Sequence, residues 1–326
     1  MTKILCIAAL AAVSLAAADK EKPKAAVKPI VRIPMTKLKP DAVFDVPKAP
    51  DWIAIDESVW ISHFPENVIS RLDPKTNKVV EQVKVGKNPC SGVAAGFGSL
   101  WVPNCGDQTV SRIDLKTGKV TATFAMPIPD SEGGLATGAG SVWMITDKKG
   151  TLSRIDPDTN KVVAEIQLPE GSFNVNFGEA AVWATSTTKD LLTRVDPNTN
   201  LVVETIKVGK TPRFFTVGEG AVWVLNQGDG SVTKVDVKTN KVTETIQAGT
   251  PGKGGDISVG GGSVWVTVFD LPLTRIDVVS NKVAQQFAGA GGDAVRFGLG
   301  SVWLCDLRGG KMLRFDPKRV EATLSE

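Results

Sequence analysis

From residue 42 onward the apolar residues fall into short runs rich in Val, Ile and Thr, each bounded by Gly, Asn, Asp or Pro. Runs of this kind predict β-strands, because β-branched side chains pack well on a pleated surface and the bounding residues suit turns. No stretch keeps a helical period. One unit reads Gly-Glu-Gly-Ala-Val-Trp-Val over 218–224, then Gly-Ser-Val-Thr-Lys-Val-Asp over 230–236, then Lys-Val-Thr-Glu-Thr-Ile over 241–246. Gly-x-Gly ahead of the tryptophan supplies the positive φ of a tight hairpin. Asp-Pro-x-Thr-Asn, at 156–160 and 196–200, predicts a type I turn followed by a left-handed asparagine. With the segment before each Gly-x-Gly, such as 213–217, every unit supplies four antiparallel strands.

The unit recurs. Tryptophan stands at 60, 101, 143, 183, 223, 265 and 303, and an aspartate follows each at nearly fixed distance, at 73, 114, 156, 196, 236, 277 and 316. Two independent markers therefore give seven copies of about forty residues, a period that fits a propeller rather than a solenoid. The predicted fold is all-β, a seven-bladed β-propeller of four-stranded antiparallel blades over residues 42–326. Both 42–46 and 320–324 resemble an outer strand, so either or both could complete the last blade.

The segments Val-Trp-Val-Leu-Asn at 222–226 and Leu-Trp-Val-Pro-Asn at 100–104 resemble the Tyr-Val-Thr-Asn signature of YVTN-type β-propellers, with Trp in place of Tyr. The Gly-x-Gly-x-Val-Trp pattern is similar to the repeats of streptogramin (virginiamycin B) lyase-like propellers. The resemblance covers roughly 42–326 and implies the fold. For activity it implies only a range of binders, an antibiotic lyase and propellers without an assigned role. In the lyase-like enzymes a histidine base and a glutamate with Mg²⁺ carry the elimination, in late blades. Here the late blades contain no histidine.

Repetition separates scaffold from site. A residue present in every blade serves the blade, so the seven tryptophans are expected to pack between blades. The basic residue two places before each aspartate (Arg71, Arg112, Arg154, Arg194, Lys234, Arg275, Arg314) shares a strand face with it. These predict a ladder of ion pairs, each worth roughly 0.2–1 kcal/mol if exposed. Function is expected at the opposite end from the tight Gly-x-Gly and Asp-Pro turns, on variable loops held by a rigid scaffold. Three positions past each tryptophan stand His63, Asn104, Thr146, Ser186, Asn226, Val268 and Asp306. The approaches to the inner strands add Asp51, Trp52, Phe173, Asn174, Arg213, Phe214, Asp256, Asp293 and Arg296. Such groups around a central opening suit a small polar or aromatic ligand, a peptide or a protein partner. The favoured reading is a non-catalytic binder needing no cofactor. The alternative is a lyase-like enzyme in which His63, the only histidine, is oriented by a carboxylate such as Asp306 and acts as general base with Mg²⁺.

The N-terminus changes the picture in one respect. Lys3, an apolar run to Ala18 and the small residues 16–18 predict a signal peptide cut near Ala18, and a secreted or periplasmic protein. That run is too short to span a bilayer comfortably, and no other approaches the ~20 residues a span needs. Residues 19–41 carry seven basic and three acidic residues among interleaved prolines, which predicts a flexible basic arm. The whole chain is only +3, which argues against a nucleic-acid partner. Of the cysteines, Cys90 and Cys105 flank the hairpin at 96–98 about equally and are expected to form a disulfide in an oxidising compartment, leaving Cys305 unpaired. Neither a Cys-x-x-Cys-His haem signature nor a His/Cys cluster for zinc occurs, and the glycines at 252–255 lack the Lys-Ser/Thr of a phosphate loop.

Overall fold

The computed structural model describes residues 30–129 and 132–323, so the signal-peptide expectation, with its cut near Ala18, lies outside the described residues. Seven antiparallel sheets are arranged as blades, each running from an inner strand at the axis to an outer edge. Blade one is Pro50–Ile55, Val59–His63, Val68–Asp73 and Lys78–Lys84, and blade five is Pro212–Gly218, Ala221–Asn226, Ser231–Asp236 and Lys241–Gln247. Consecutive inner strands touch around the whole ring, and the inner strand of blade seven, Val295–Gly298, meets that of blade one.

Closure comes from the N-terminal side alone. Ala42–Asp45 pairs antiparallel with Lys311–Phe315 as the outer strand of blade seven. The other candidate, 320–324, forms no strand over its described residues, 320–323; Pro317–Ala322 is a short helix whose first turn is capped by the Asp316 carboxylate on the backbone N–H of Lys318. Proline at the first helical position and aspartate before it favour exactly the start of a helix over a strand. Val320 then buries itself beside Trp265, Phe287 and Phe315.

The predicted arm needs a correction at its distal end. Arg32–Pro34 forms a fifth strand on blade six, parallel to Lys282–Ala288. Ile33, Met35 and Leu38 pack against the apolar cluster shared by blades six and seven. Those three apolar residues, hidden among lysines and prolines, offset the entropy of ordering the segment.

The repeated residues have repeated roles. All seven repeat tryptophans are fully buried. In six blades the indole N–H donates to the carbonyl of the first glycine of the hairpin, as from Trp143 to Gly138 at 3.0 Å; in blade one Asp56 is the acceptor, at 2.9 Å. At the hairpin itself Glu219 (φ +55°) and Gly220 (φ +72°) are both left-handed, the geometry a two-residue turn between twisted strands requires. In the turns that the repeat aspartates open, Asn77, Asn160, Asn200, Asn240 and Asn281 take the left-handed conformation, whether Pro or Val follows the aspartate.

The expected ladder of ion pairs does not form. The aspartates cap their own turns, as Asp156 does by accepting from the backbone of Asp158 and Thr159 at 3.0 and 2.8 Å. The base instead lies over the tryptophan directly opposite it, with Arg154 5.1 Å from the Trp143 ring. Its guanidinium then reaches into the next blade, where it donates to the Pro197 carbonyl at 2.8 Å and the Asn200 side chain at 2.9 Å. Arg194, Lys234 and Arg314 repeat the link, and Arg314 closes it on Pro74 and Asn77 of blade one. A long flexible base gains more from carbonyls and an amide in a crevice than from an aspartate already saturated by backbone N–H groups. Arg275 is the exception. Blade seven has no continuous turn at that place, and Arg275 turns to Gln285, Ser263 and Glu321 of the terminal helix.

Cys90 and Cys105 form the expected disulfide, with Cα atoms 5.9 Å apart. Cys305 is buried, and its thiol donates to the carbonyl of Asp51 at 3.2 Å. No helix among the described residues is long and apolar enough to cross a membrane.

Candidate functional site

The chain direction within a blade puts the Gly-x-Gly and Asp-Pro turns at one end of the ring. The other end carries the hairpins after each tryptophan strand and the loops that lead to each inner strand. At the centre of that second end is a cleft of about 350 Å³. Blade one contributes Asp51, Trp52 and Phe64, and the approach to blade three contributes Glu132. Blade five contributes Arg213 and Phe214, blade six Asp256 and Phe269, and blade seven Asp293. Below it a second space of about 270 Å³ continues along the inner strands and shares Trp52 and Asp256 with the cleft above.

The two families of predicted site residues part company here. Trp52, Arg213 and Phe214 of the inner strands and Asp256 and Asp293, just ahead of theirs, converge on the cleft, with Asp51 beside them. Phe173 stands edge-on to Phe214, and Asn174 and Arg296 line the axial space below. Most of the residues three past each tryptophan are inside the blades. Asn104 is fully buried and spends its amide protons on Thr109 and Ser111 at 3.0 and 2.9 Å. Asn226 does the same with Ser231 and Thr233 at 3.0 and 2.8 Å. Ser186 donates to the carbonyl of Glu170 at 2.8 Å, and Val268 and Thr146 are buried. The strand that carries them is second from the axis, so its end lies beneath a hairpin and not at the opening.

His63 shares that fate. It is fully buried, and neither ring nitrogen makes a hydrogen bond. Burial pushes its imidazole down to about 4, and the nearby carbonyls of Lys48 and Pro47 oppose this only partly. Its neighbour Phe64 reaches the cleft, but His63 is not part of the cleft wall. Asp306 accepts from the backbone N–H of Gly309 at 2.9 Å in its own turn, and no hydrogen bond joins it to His63. The expected His63–Asp306 pair is not formed.

The electrostatics of the cleft centre on carboxylates. Asp51 and Asp293 lie within hydrogen-bonding reach of each other. Burial, reinforced by the neighbouring negative charges of Asp293, Glu132 and Asp256, pushes the Asp51 carboxyl well above the usual range. Burial likewise raises Asp293 to about 7, although it accepts from the backbone N–H of Gly255 at 2.8 Å. Burial and mutual repulsion thus favour the protonated form of both carboxyls. Asp256 is raised by burial but is held against Arg296 by an ion pair, and it accepts from the backbone N–H of Ile257 at 2.8 Å. Arg213 pairs with Glu132 at 2.7 Å, 81 residues away, and lies over both Phe173 and Phe214, 5.1 and 5.5 Å from their ring centres.

Glu132, Phe64 and Phe269 were not among the residues singled out from sequence. The signal for Glu132 was present. Counting back from the hairpin glycines, Asp51, Phe173, Arg213 and Asp293 all occupy the fifth position before the glycine or its counterpart Asp56, and Glu132 the sixth before Gly138. Alignment on that glycine, which stands five places before the tryptophan in six blades, gathers these residues. Phe64 and Phe269 each stand four places past their tryptophans, Trp60 and Trp265, one beyond the position singled out.

The same fold occurs in solved structures. A streptogramin B lyase is 22% identical, with 82% of this chain and 93% of that chain covered and a TM-score of 0.68. A selenomethionine-substituted virginiamycin B lyase from Staphylococcus aureus is 19% identical, covering 83% of this chain and 97% of its own, with a TM-score of 0.70. A catalytically inactive histidine-to-alanine variant of the Staphylococcus aureus enzyme, with quinupristin, is 18% identical, covering 85% and 98%, with a TM-score of 0.71. No family model matches the chain, so the YVTN resemblance has no family match behind it, and no curated protein matches it by sequence. At these identities the likeness is one of architecture: the chain is a seven-bladed β-propeller similar in fold to the streptogramin B lyases.

Proposed function

We propose that the chain is an exported propeller that binds a small organic ligand in the central cleft, without catalysis. One observation carries this reading: blade-specific aromatic and charged side chains from five blades converge on one cleft, where the repeat requires none of them. A concave site with apolar walls and a few convergent polar groups is the usual form of a small-molecule site. Export is supported by the predicted leader and by the disulfide, which persists best in an oxidising compartment.

A histidine-based lyase finds little support in the residues present. His63 is buried and neutral, away from the cleft. The cleft carboxylates do not fit Mg²⁺ either: Asp256 and Glu132 are engaged by guanidinium groups, Asp51 and Asp293 by one another. Among the described residues no group of three is arranged to hold a metal ion. One feature favours a catalytic second reading, namely that Asp293 holds a proton near neutrality and could serve as an acid–base group.

A thermal-shift screen of the purified protein against small organic molecules tests the binding reading, since a ligand specific to the folded state raises Tm by mass action. Hits lost in Phe214→Ala but kept in Asn226→Ser support the cleft; hits indifferent to Phe214→Ala sink it. Chromatography after incubation with quinupristin decides the second reading. Turnover abolished by Asp293→Asn would establish it, and unchanged quinupristin would remove it.

A further inference from the structure

The cleft has more donors looking for acceptors than its acidic residues first indicate. Arg213 is fixed by two phenylalanine faces, and one terminal nitrogen donates to Glu132. Its Nε is buried and makes no hydrogen bond. Trp52, on the same cleft, is 6% exposed, and its indole N–H has no acceptor. A guanidinium presents its donors as a fork that matches a carboxylate with two parallel bonds. Glu132 therefore leaves part of that fork unused.

We propose that the cleft recognises the carboxylate of an aromatic carboxylic acid, which takes the place of Glu132 on Arg213 and lays its ring among Trp52, Phe214 and Phe269. This deepens the binding reading and rests on it. The exchange is cheap for the protein. The Glu132 side chain is 39% exposed, and an ion pair so open to solvent contributes little, on the order of 0–1 kcal/mol. A ligand carboxylate that reaches both donors of the fork replaces it with a better bond.

The remaining carboxylates do not forbid an anion. Asp256 is neutralised by Arg296, and burial favours the protonated forms of Asp51 and Asp293. Lys253 lines the same cleft, and the Arg308 guanidinium sits 4.7 Å from the Phe269 ring. The cations at the opening are thus at least as many as the ionised carboxylates.

Isothermal titration of the purified protein with three probes of one shape tests this: indole-3-acetate, indole-3-acetamide and tryptamine. The acetate is expected to bind about tenfold more tightly than the amide, the difference of a charged hydrogen bond, and the amine not at all. Glu132→Gln removes the competing carboxylate and should strengthen the acetate by up to about fivefold. Arg213→Gln should abolish binding; Arg213→Lys, which keeps the charge without the fork, guards against misfolding and should weaken it strongly. The proposal is overturned if the amide or the amine binds as well as the acetate, or if Glu132→Gln weakens the acetate. Silence from all three probes also overturns it. A screening hit of another chemistry that depends on Phe214 would still uphold the cleft as a binding site; no hit of any kind would end both.

Discussion

The two ends of the ring are built on opposite rules. At the end with the tight turns, five blades repeat one device: tryptophan, the base lying over it, and the next blade's asparagine. At the other end the side chain at one register position changes around the ring. Aligned on the hairpin glycine, the fifth position before it reads Asp51, Ser91, Gly133, Phe173, Arg213, Gly255 and Asp293. A scaffold profits from identical contacts seven times over, whereas a ligand with no sevenfold symmetry profits from difference. Stability is therefore expected to concentrate at the repeated end and binding at the other.

Substitutions should expose that division. Trp183→Ala, which empties a fully buried site in blade four, is expected to cost about 3–5 kcal/mol in denaturant melts and to leave the cleft chemistry untouched. Arg154→Ala breaks the link to blade four and uncovers a tryptophan face, for roughly 1.5–3 kcal/mol in the same experiment. Arg213→Gln, at the other end, should change stability by less than about 1 kcal/mol because its ion pair is half open to solvent. A melt in which Arg213→Gln costs as much as Arg154→Ala would erase the distinction between the two ends.

Two buried groups sharpen the comparison through pH, because their slopes oppose. The imidazole of His63 is lowered from 6.5 to about 4, so the unfolded chain binds the extra proton in that window. Its contribution is present above pH 6.5 and is lost as pH falls toward 4. Asp293 is raised from 3.8 to about 7, so the folded protein holds the extra proton there; that contribution is present below about pH 4 and is lost as pH rises through 7. His63→Leu should flatten the fall in Tm on the acid side. Asp293→Asn should flatten the smaller fall on the alkaline side, and with it any pH dependence of ligand binding near neutrality. A Tm profile of Asp293→Asn that parallels the parent from pH 5 to 8 would mean that burial does not raise the Asp293 carboxyl.

Repetition also explains what the sequence made legible. Seven tryptophans and seven aspartates in step leave little freedom for the fold, and the turn residues declared themselves chemically. The site was legible only where it stayed in register with the repeat. Asp51 and Arg213 on their inner strands, and Asp293 just before its own, were visible as exceptions at a repeated position. The post-tryptophan residues were equally exceptional, yet Asn104 and Asn226 serve their own blades, because variation along a chain does not reveal which strand faces the axis. Arg154 was read against Asp156, its neighbour in sequence, although its partner Asn200 belongs to another blade. A contact 46 residues long leaves no local trace.

The way the ring closes has a consequence for its birth. Strand 42–45 leaves the ribosome well over two hundred residues before its partner, 311–315. Until that partner emerges the nascent chain is an open arc in which strand 42–45 has nothing to pair with. The entropy of joining ends so far apart grows only logarithmically with separation, so completion is a late event rather than an expensive one. A chain cut short before residue 311 should therefore accumulate as a protease-sensitive intermediate, whereas a circular permutant that restores a continuous turn to blade seven should close early.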